Sequence, residues 1–213
     1  MPANPTSRGT LLALLGFGLI VPGMLLFGLP LAMPLPPLAG EELGRIAPAF
    51  LLQGMAHILT GWDHLAFVLC LALIARGREV VCLVTCFTVG HSITLGLGFL
   101  GFVHVPSAPV EIAIPLSLAF VAYEALVVGR GKALLDFRRQ IGVVSLFGLL
   151  HGFGFAHALS GLGVVPGQEL LSLAFFNAGI ELGQLLVVGV FAALLAGVRS
   201  VLRSPQAVAA KAA

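Results

Sequence analysis

The sequence predicts an all-α fold, a polytopic bundle of transmembrane helices, and three observations point to this class. Hydrophobic residues make up 59% of the 213 residues, whereas charged residues make up only 9%. A soluble domain carries about 25% charged residues, so a mainly solvated surface is excluded. Apolar stretches recur along the chain at about the length that a helix needs to cross a bilayer. Short segments that hold most of the arginines and lysines separate these stretches.

Six membrane spans are predicted, at residues 10–33, 46–75, 80–103, 109–129, 141–163 and 169–197. Backbone groups in lipid must find partners inside the protein, and these segments are too long and continuous to be barrel strands. The second and the last span are longer than a bilayer requires. They are therefore expected to tilt, to extend past the bilayer or to break, and Gly54 and Gly61 are the candidate break points in the second span.

The spans divide the chain into four regions. Residues 1–33 are interpreted as an N-terminal membrane helix or signal anchor, 34–45 as an outer linker, 46–203 as the main transmembrane domain and 204–213 as a disordered cytoplasmic tail. In this arrangement ten of the eleven Lys and Arg residues lie on one side of the membrane. The positive-inside rule therefore predicts that both termini are cytoplasmic if the first helix is retained. The net charge of +2 reflects this topology and does not indicate nucleic-acid binding.

Ionisable side chains inside the spans are the main functional signal. They are His57, Asp63, His64, His91, Glu124, His151, His157 and Glu181. Each such group costs about 2.5–3.5 kcal/mol at mid-membrane on insertion scales. Their combined cost is comparable with the stability of a whole domain, so they must share a site, line a wet path or neutralise one another.

The residues from Gly54 to His64 form one stripe on a helix. Gly54, His57, Gly61 and His64 are spaced 3, 4 and 3 residues apart, which places them on one face. The glycines allow a neighbouring helix to approach closely while the histidines project from the same face. Asp63 lies about 100° from His64 around the helix and is expected to orient a histidine.

A second polar stripe is predicted in the last span. Asn177, Glu181 and Gln184 are spaced 4 and 3 residues apart. In the third span, Thr88 and His91 share a face. Polar stripes on two different helices are typical of a site or pathway inside a bundle.

Neutral imidazoles with a few carboxylates suit a borderline divalent cation such as nickel, cobalt or zinc. Magnesium or calcium would require a site dominated by oxygen ligands. The predicted ligands are His57, Asp63, His64, His91, His151 and Glu181. Candidate pathway or supporting residues are His157, Glu124, Asn177, Gln184 and Thr88. No prosthetic group is expected, and the partners are a divalent ion and the lipid bilayer.

Four segments together resemble the HupE/UreJ family of bacterial membrane proteins, in particular its second subgroup. They are "GMAHILTGWDHLAF", "FTVGHSITL", "LLHGFGFAHAL" and "FNAGIELGQLL". The resemblance implies a permease, with 46–203 as the permease domain, that brings nickel or cobalt across the bacterial inner (cytoplasmic) membrane. It also adds Ser92, next to His91, to the candidate supporting residues.

One departure from the family pattern bears on the identity of the metal. The better-studied subgroup has a glutamate close to the histidine-glycine motif of the fifth span. Here "HGFGFAHALSG" contains no glutamate, and Glu181 on the next span is expected to take its place.

Two similar segments are consistent with an inverted repeat. "FTVGH" at 87–91 and "FNAGIE" at 176–181 share a Phe, a small polar residue and a Gly in register. They lie on the third and sixth spans, which run in opposite directions, as two inverted three-helix repeats require. Glycine-lined faces would also permit a homo-oligomer.

The chain is expected not to be an enzyme, although two alternatives to transport stay open. A histidine-carboxylate metal site could activate water for hydrolysis inside the membrane. The protein could instead be a metal-sensing or assembly subunit that does not transport the ion.

Overall fold

The computed structural model describes the backbone of residues 43–160 and 168–211, and the side chains of 47–156 and 168–200. Six α-helices are present, namely α1 (Leu43–Thr60), α2 (Trp62–Ile74), α3 (Arg78–Phe99), α4 (Ser107–Gly129), α5 (Phe137–Ser160) and α6 (Glu169–Lys211). No strand occurs within these residues. The predicted all-α bundle is confirmed. The predicted first helix, 1–33, lies outside the described residues.

Three of the helices are long and apolar enough to cross a membrane, and they are α3, α4 and α6 up to residue 200. The pair α1 and α2 would make a fourth span if it crosses as one bent unit. The described part of α5 does not meet the same criterion, so the span over 141–163 stays a prediction. Large apolar side chains such as Ile112, Leu116 and Leu194 are exposed on these helices, as is expected of surfaces in contact with lipid.

The second predicted span breaks at Gly61, which confirms one of its two candidate break points. Residues 47–60 and 62–74 meet at an angle of 75°. The backbone remains paired through the bend, because Gly61 N–H donates to His57 O at 2.9 Å and Leu65 N–H donates to Gly61 O at 2.9 Å. A Cβ atom at position 61 would lie only 2.6 Å from His57 O, so the bend requires a glycine.

Helices α3 and α5 run parallel and are in close backbone contact. A Cβ atom at Gly148 would overlap Phe87 O, and one at Gly90 would overlap Ser145 O. Farther along both helices, a Cβ atom at Gly98 would lie 2.6 Å from the Cβ atom of Ala156. The basic segments at the starts of α3 and α5 therefore lie at the same end of the bundle, as the charge pattern predicts.

Helices α1 and α6 form a second close pair of the same kind. A Cβ atom at Gly54 would overlap Phe176 O, and one at Gly179 would overlap Leu51 O. This pair runs antiparallel to the first. Leu173, near the start of α6, lies beside Gly96, near the end of α3. Gln184, farther along α6, lies beside Thr88, which comes before Gly96 on α3.

The two pairs correspond position by position. Gly54 contacts the helix turn 176–180 as Gly148 contacts the turn 87–91. The similar segments "FTVGH" and "FNAGIE" therefore occupy equivalent places in two oppositely directed helix pairs. This correspondence supports the inverted repeat. It also makes His57 and His151 equivalent, since each lies three residues after its glycine.

The two ends of the described chain differ from the expected boundaries. Helix α1 begins at Leu43, inside the segment 34–45 that was interpreted as a linker. Helix α6 extends to Lys211, although a disordered tail was expected over 204–213.

Candidate metal centre

His57 and His64 lie on the two sides of the break at Gly61. His57 is in the last turn of α1 and His64 is in the first turn of α2. In a straight helix they would be stacked two turns apart, about 10 Å along the axis. The 75° bend instead brings their ring centroids to 4.4 Å. The broken helix thus makes one local cluster out of the "HILTGWDH" segment.

His91 on α3 and His151 on α5 complete the cluster. Their ring centroids lie 5.6 Å and 5.3 Å from that of His64. Both side chains are fully buried, with relative exposures of 0% and 1%. Their helices are held together by the contact between Gly148 and Phe87 and by the contact between Gly152 and the His91 carbonyl. Close glycine packing therefore fixes the positions of the two imidazoles.

The possible ligand atoms form two groups of three. We call His57, His64 and His91 the His triad, and Asp63, His64 and His151 the Asp triad. Within each triad the ligand atoms all lie within 4.8 Å of one another. Bond lengths of about 2.0–2.2 Å require ligand atoms slightly closer than this, so small side-chain movements would allow binding. The sequence predicted one site with all these residues, whereas the structure arranges them as two triads that share His64.

Asp63 fixes the orientation of His64. Its Oδ1 lies 3.1 Å from His64 Nδ1. An ionised carboxylate only accepts hydrogen bonds, so Nδ1 carries the hydrogen and Nε2 has the free lone pair. His64 Nε2 is buried and has no hydrogen-bond partner among the described residues. A carboxylate behind an imidazole is a common support for a metal-binding histidine.

Ser117 on α4 supports His151 in a similar way, and sequence reasoning missed it. Its hydroxyl donates to Ile114 O at 2.7 Å and lies 3.0 Å from His151 Nε2. Because that hydroxyl hydrogen is already used, His151 Nε2–H is the donor and Nδ1 keeps the lone pair. Nδ1 is buried and has no hydrogen-bond partner among the residues whose side chains are described. The only sequence signal was a serine after Pro115 in an otherwise apolar helix.

Aromatic side chains line the cluster. Phe155 stands 3.9 Å from His57 between ring centroids, and Phe87 stands 5.2 Å from His151. Phe67 and Phe176 also contact these imidazoles. Buried nitrogens without partners are costly in such apolar surroundings. Nitrogens left free at His57, His64, His91 and His151 therefore fit a divalent cation that prefers imidazole.

The structure does not bring Glu181 into either triad. Its Oε1 accepts a hydrogen bond from Thr85 at 2.5 Å, about two helical turns before His91 on α3. One turn closer to His91, Thr88 donates to Gln184 Oε1 at 2.8 Å. Glu181 Oε2 and Gln184 Nε2 are buried and have no hydrogen-bond partner in the part of the chain that the structure describes. These residues form a polar ladder between α3 and α6.

The remaining predicted polar residues make local contacts. Asn177 donates to Leu173 O at 2.9 Å, and Ser92 donates to Thr88 O at 2.6 Å. Both bonds stay within one helix, and Asn177 Oδ1 is buried with no partner among residues 47–156 and 168–200. The His157 side chain lies outside the described residues.

Glu124 has a different setting from the one predicted. It was a candidate for the ion pathway, but both carboxylate oxygens accept backbone hydrogen bonds at 3.2 Å, from Leu134 and Leu135 in the loop after α4. The residue is almost completely buried, at 2% exposure. It therefore fastens this loop to the bundle, a role that its position in the sequence did not reveal.

Replacing Glu124 should affect stability and leave metal binding intact. In Glu124→Gln the amide nitrogen cannot accept a hydrogen bond, so one of the two loop N–H groups loses its partner. We expect a loss of about 1–3 kcal/mol in the free energy of unfolding. Thermal unfolding in detergent measures it, with Glu111→Gln, an exposed carboxylate on the same helix, as the control. A loss of nickel binding without a loss of stability would contradict the assigned role.

Comparison with known protein families identifies the chain. The family described as HupE / UreJ protein matches residues 39–213, which include all six helices. No curated protein and no solved structure matches the chain. The family resemblance inferred from the four motifs is confirmed. The chain thus belongs to the HupE/UreJ family, a transporter-type family, and this membership together with the membrane-spanning helices supports a membrane metal permease in general.

Proposed function

We propose that the protein moves nickel or cobalt ions into the cytoplasm through the two triads. The observation that carries this proposal is the convergence of four imidazoles and one carboxylate from α1, α2, α3 and α5 as two adjoining triads inside the bundle. A purely structural histidine in a membrane bundle would be expected to find a hydrogen-bond partner on a neighbouring helix. Here each histidine keeps a buried nitrogen with no hydrogen-bond partner among the described side chains, and the ligand atoms within each triad lie within 4.8 Å of one another.

The donor set favours a transition metal over the more abundant hard cations. Imidazole suits nickel, cobalt and zinc, whereas magnesium and calcium prefer a shell of oxygen atoms. Only one carboxylate, Asp63, belongs to the triads. Zinc remains the alternative cargo, because its ligand preferences overlap with those of nickel and cobalt.

The ion needs compensation for the water that it loses in the bundle. Imidazole nitrogens replace water as ligands, and Asp63 offsets part of the double charge. An inside-negative potential contributes a further 2.3 kcal/mol or so per elementary charge for each 100 mV. With basic loops at the cytoplasmic face, as the positive-inside rule predicts, this potential favours inward movement.

Ion flux in proteoliposomes that contain only this protein tests the proposal. With an inside-negative potential set by a potassium gradient, nickel and cobalt should accumulate above the level in protein-free liposomes, and magnesium should not. The same panel repeated with and without a pH gradient shows whether protons are coupled to transport. Metal binding without any flux would favour the sensing or hydrolytic alternatives. Equal flux of magnesium and nickel would contradict the proposed selectivity.

A further inference from the structure

We propose that the transported cation occupies two alternative positions, one in each triad, and passes from one to the other at His64. This inference rests on the proposed function, since it describes how the same site handles its ion. It differs from the single shared site that the sequence predicted.

The arrangement of ligand atoms separates the two positions. His64 is the one residue common to both triads, and no group within the described residues combines His57 with His151 at the same distance. A metal with bonds of about 2.0–2.2 Å holds its ligand atoms no more than about 4.4 Å apart. Each triad comes close to this limit, with ligand atoms within 4.8 Å, whereas no group of described residues that includes both His57 and His151 does, so one ion does not bind all five side chains in this conformation.

His64 has one nitrogen for each position. Nδ1 faces Asp63 at 3.1 Å, on the side of the Asp triad, and Nε2 is buried without a partner. We assign Nε2 to the His triad. A neutral imidazole carries one ring hydrogen and offers one lone pair, so His64 serves one triad at a time. Binding in the Asp triad therefore requires Nδ1 to lose the hydrogen that it donates to Asp63 and Nε2 to take one up.

The two positions connect different helices. An ion in the His triad links His57, on the α1–α6 pair, to His91, on the α3–α5 pair. An ion in the Asp triad keeps the α3–α5 pair through His151 but no longer binds α1. Transfer at His64 therefore removes one link between the two glycine-packed pairs. While the ion occupies the His triad it bridges the two helix pairs, so the pairs do not separate at this point until the ion has left that triad.

Two substitutions each remove one triad and leave the other complete. His91→Ala disrupts only the His triad, and His151→Ala disrupts only the Asp triad. The experiment uses purified full-length protein in lipid nanodiscs, with Ni²⁺ as the probe. Equilibrium dialysis measures affinity and stoichiometry, and X-ray absorption measures the ligand set. His104→Ala, in an exposed loop, is the matched control.

We expect one Ni²⁺ per chain in each single variant, with an affinity within about tenfold of the wild type, because the other position remains. His151→Ala should show imidazole ligands alone, and His91→Ala should show imidazoles with a carboxylate. The double variant should lose at least about a hundredfold in affinity. A loss above tenfold in either single variant, or identical ligand sets in both, would overturn the proposal.

The outcomes also separate this inference from the proposed function. If the wild-type protein binds Ni²⁺ but does not transport it, the proposed transport function is wrong. The ligand sets of the two variants then still decide whether two positions exist. If the wild-type protein transports Ni²⁺ and both variants show the same ligand set, the two-position inference is wrong and the proposed transport function stands. If the alanine variants do not fold, His91→Asn and His151→Asn fill more of the space and give the same comparison.

Discussion

His64→Ala should reduce nickel and cobalt uptake to the background of protein-free liposomes. His64 belongs to both triads, so the substitution leaves each position with two ligand atoms. Loss of supporting groups around a bound metal already costs about 10–100-fold in affinity. Loss of a shared ligand should therefore lower uptake at least about a hundredfold. No other single substitution in the cluster is expected to affect both positions directly.

The measurement compares initial uptake rates of purified variants in liposomes at matched protein content. His104→Ala removes an imidazole from an exposed loop and should transport like the wild type. Thermal unfolding recorded in parallel shows whether a lost signal belongs to the site or to the fold. Uptake by His64→Ala at the wild-type rate would rule out the triads as the ion pathway.

Gly148→Val should prevent the close packing of α3 and α5. The substitution should therefore lower both stability and nickel binding, although Gly148 itself is not a ligand. The first atom of the new side chain would overlap Phe87 O and lie 3.1 Å from His91 N. Backbone atoms cannot rotate away as a side chain can, so the helices must separate. Overpacking of a core costs about 1–3 kcal/mol when side chains can adjust, and we expect a larger loss here.

Thermal unfolding and nickel binding in detergent measure this loss. Gly142→Val on the same helix is the matched control, because a Cβ atom there meets nothing within 4 Å. Both substitutions carry the same change in helix propensity, so their difference isolates the helix contact. A Gly148→Val protein with wild-type stability and binding would show that the close pair is not needed.

The sequence was most informative where the lipid environment restricts the choices. Long apolar segments in a bilayer must be helices, so the fold class followed from composition and span length. Histidines and Asp63 in those segments are too costly to be incidental, so they could be selected as site candidates without any structure. The excess length of the second span predicted that it would bend, tilt or protrude, and Gly61 was one of its two candidate break points.

Residues whose role depends on a partner elsewhere in the chain were harder to place. Glu124 and Glu181 have the same chemistry as Asp63, yet one binds loop N–H groups and the other binds Thr85. The role of Ser117 was not predicted, because no sequence pattern indicates which residue a serine in an apolar helix will contact. In each case the deciding contact joins residues that are distant or unpatterned in sequence.

The sequence alone determined the solvent, the helical class, the family and the set of imidazoles, because each follows from local composition, spacing or motif. The tertiary structure decided which of those imidazoles meet and that they meet as two triads. The bend at Gly61 and the close pairing of α3 with α5 set those distances. Both depend on how backbones approach one another, and a linear pattern of residue types does not encode that approach.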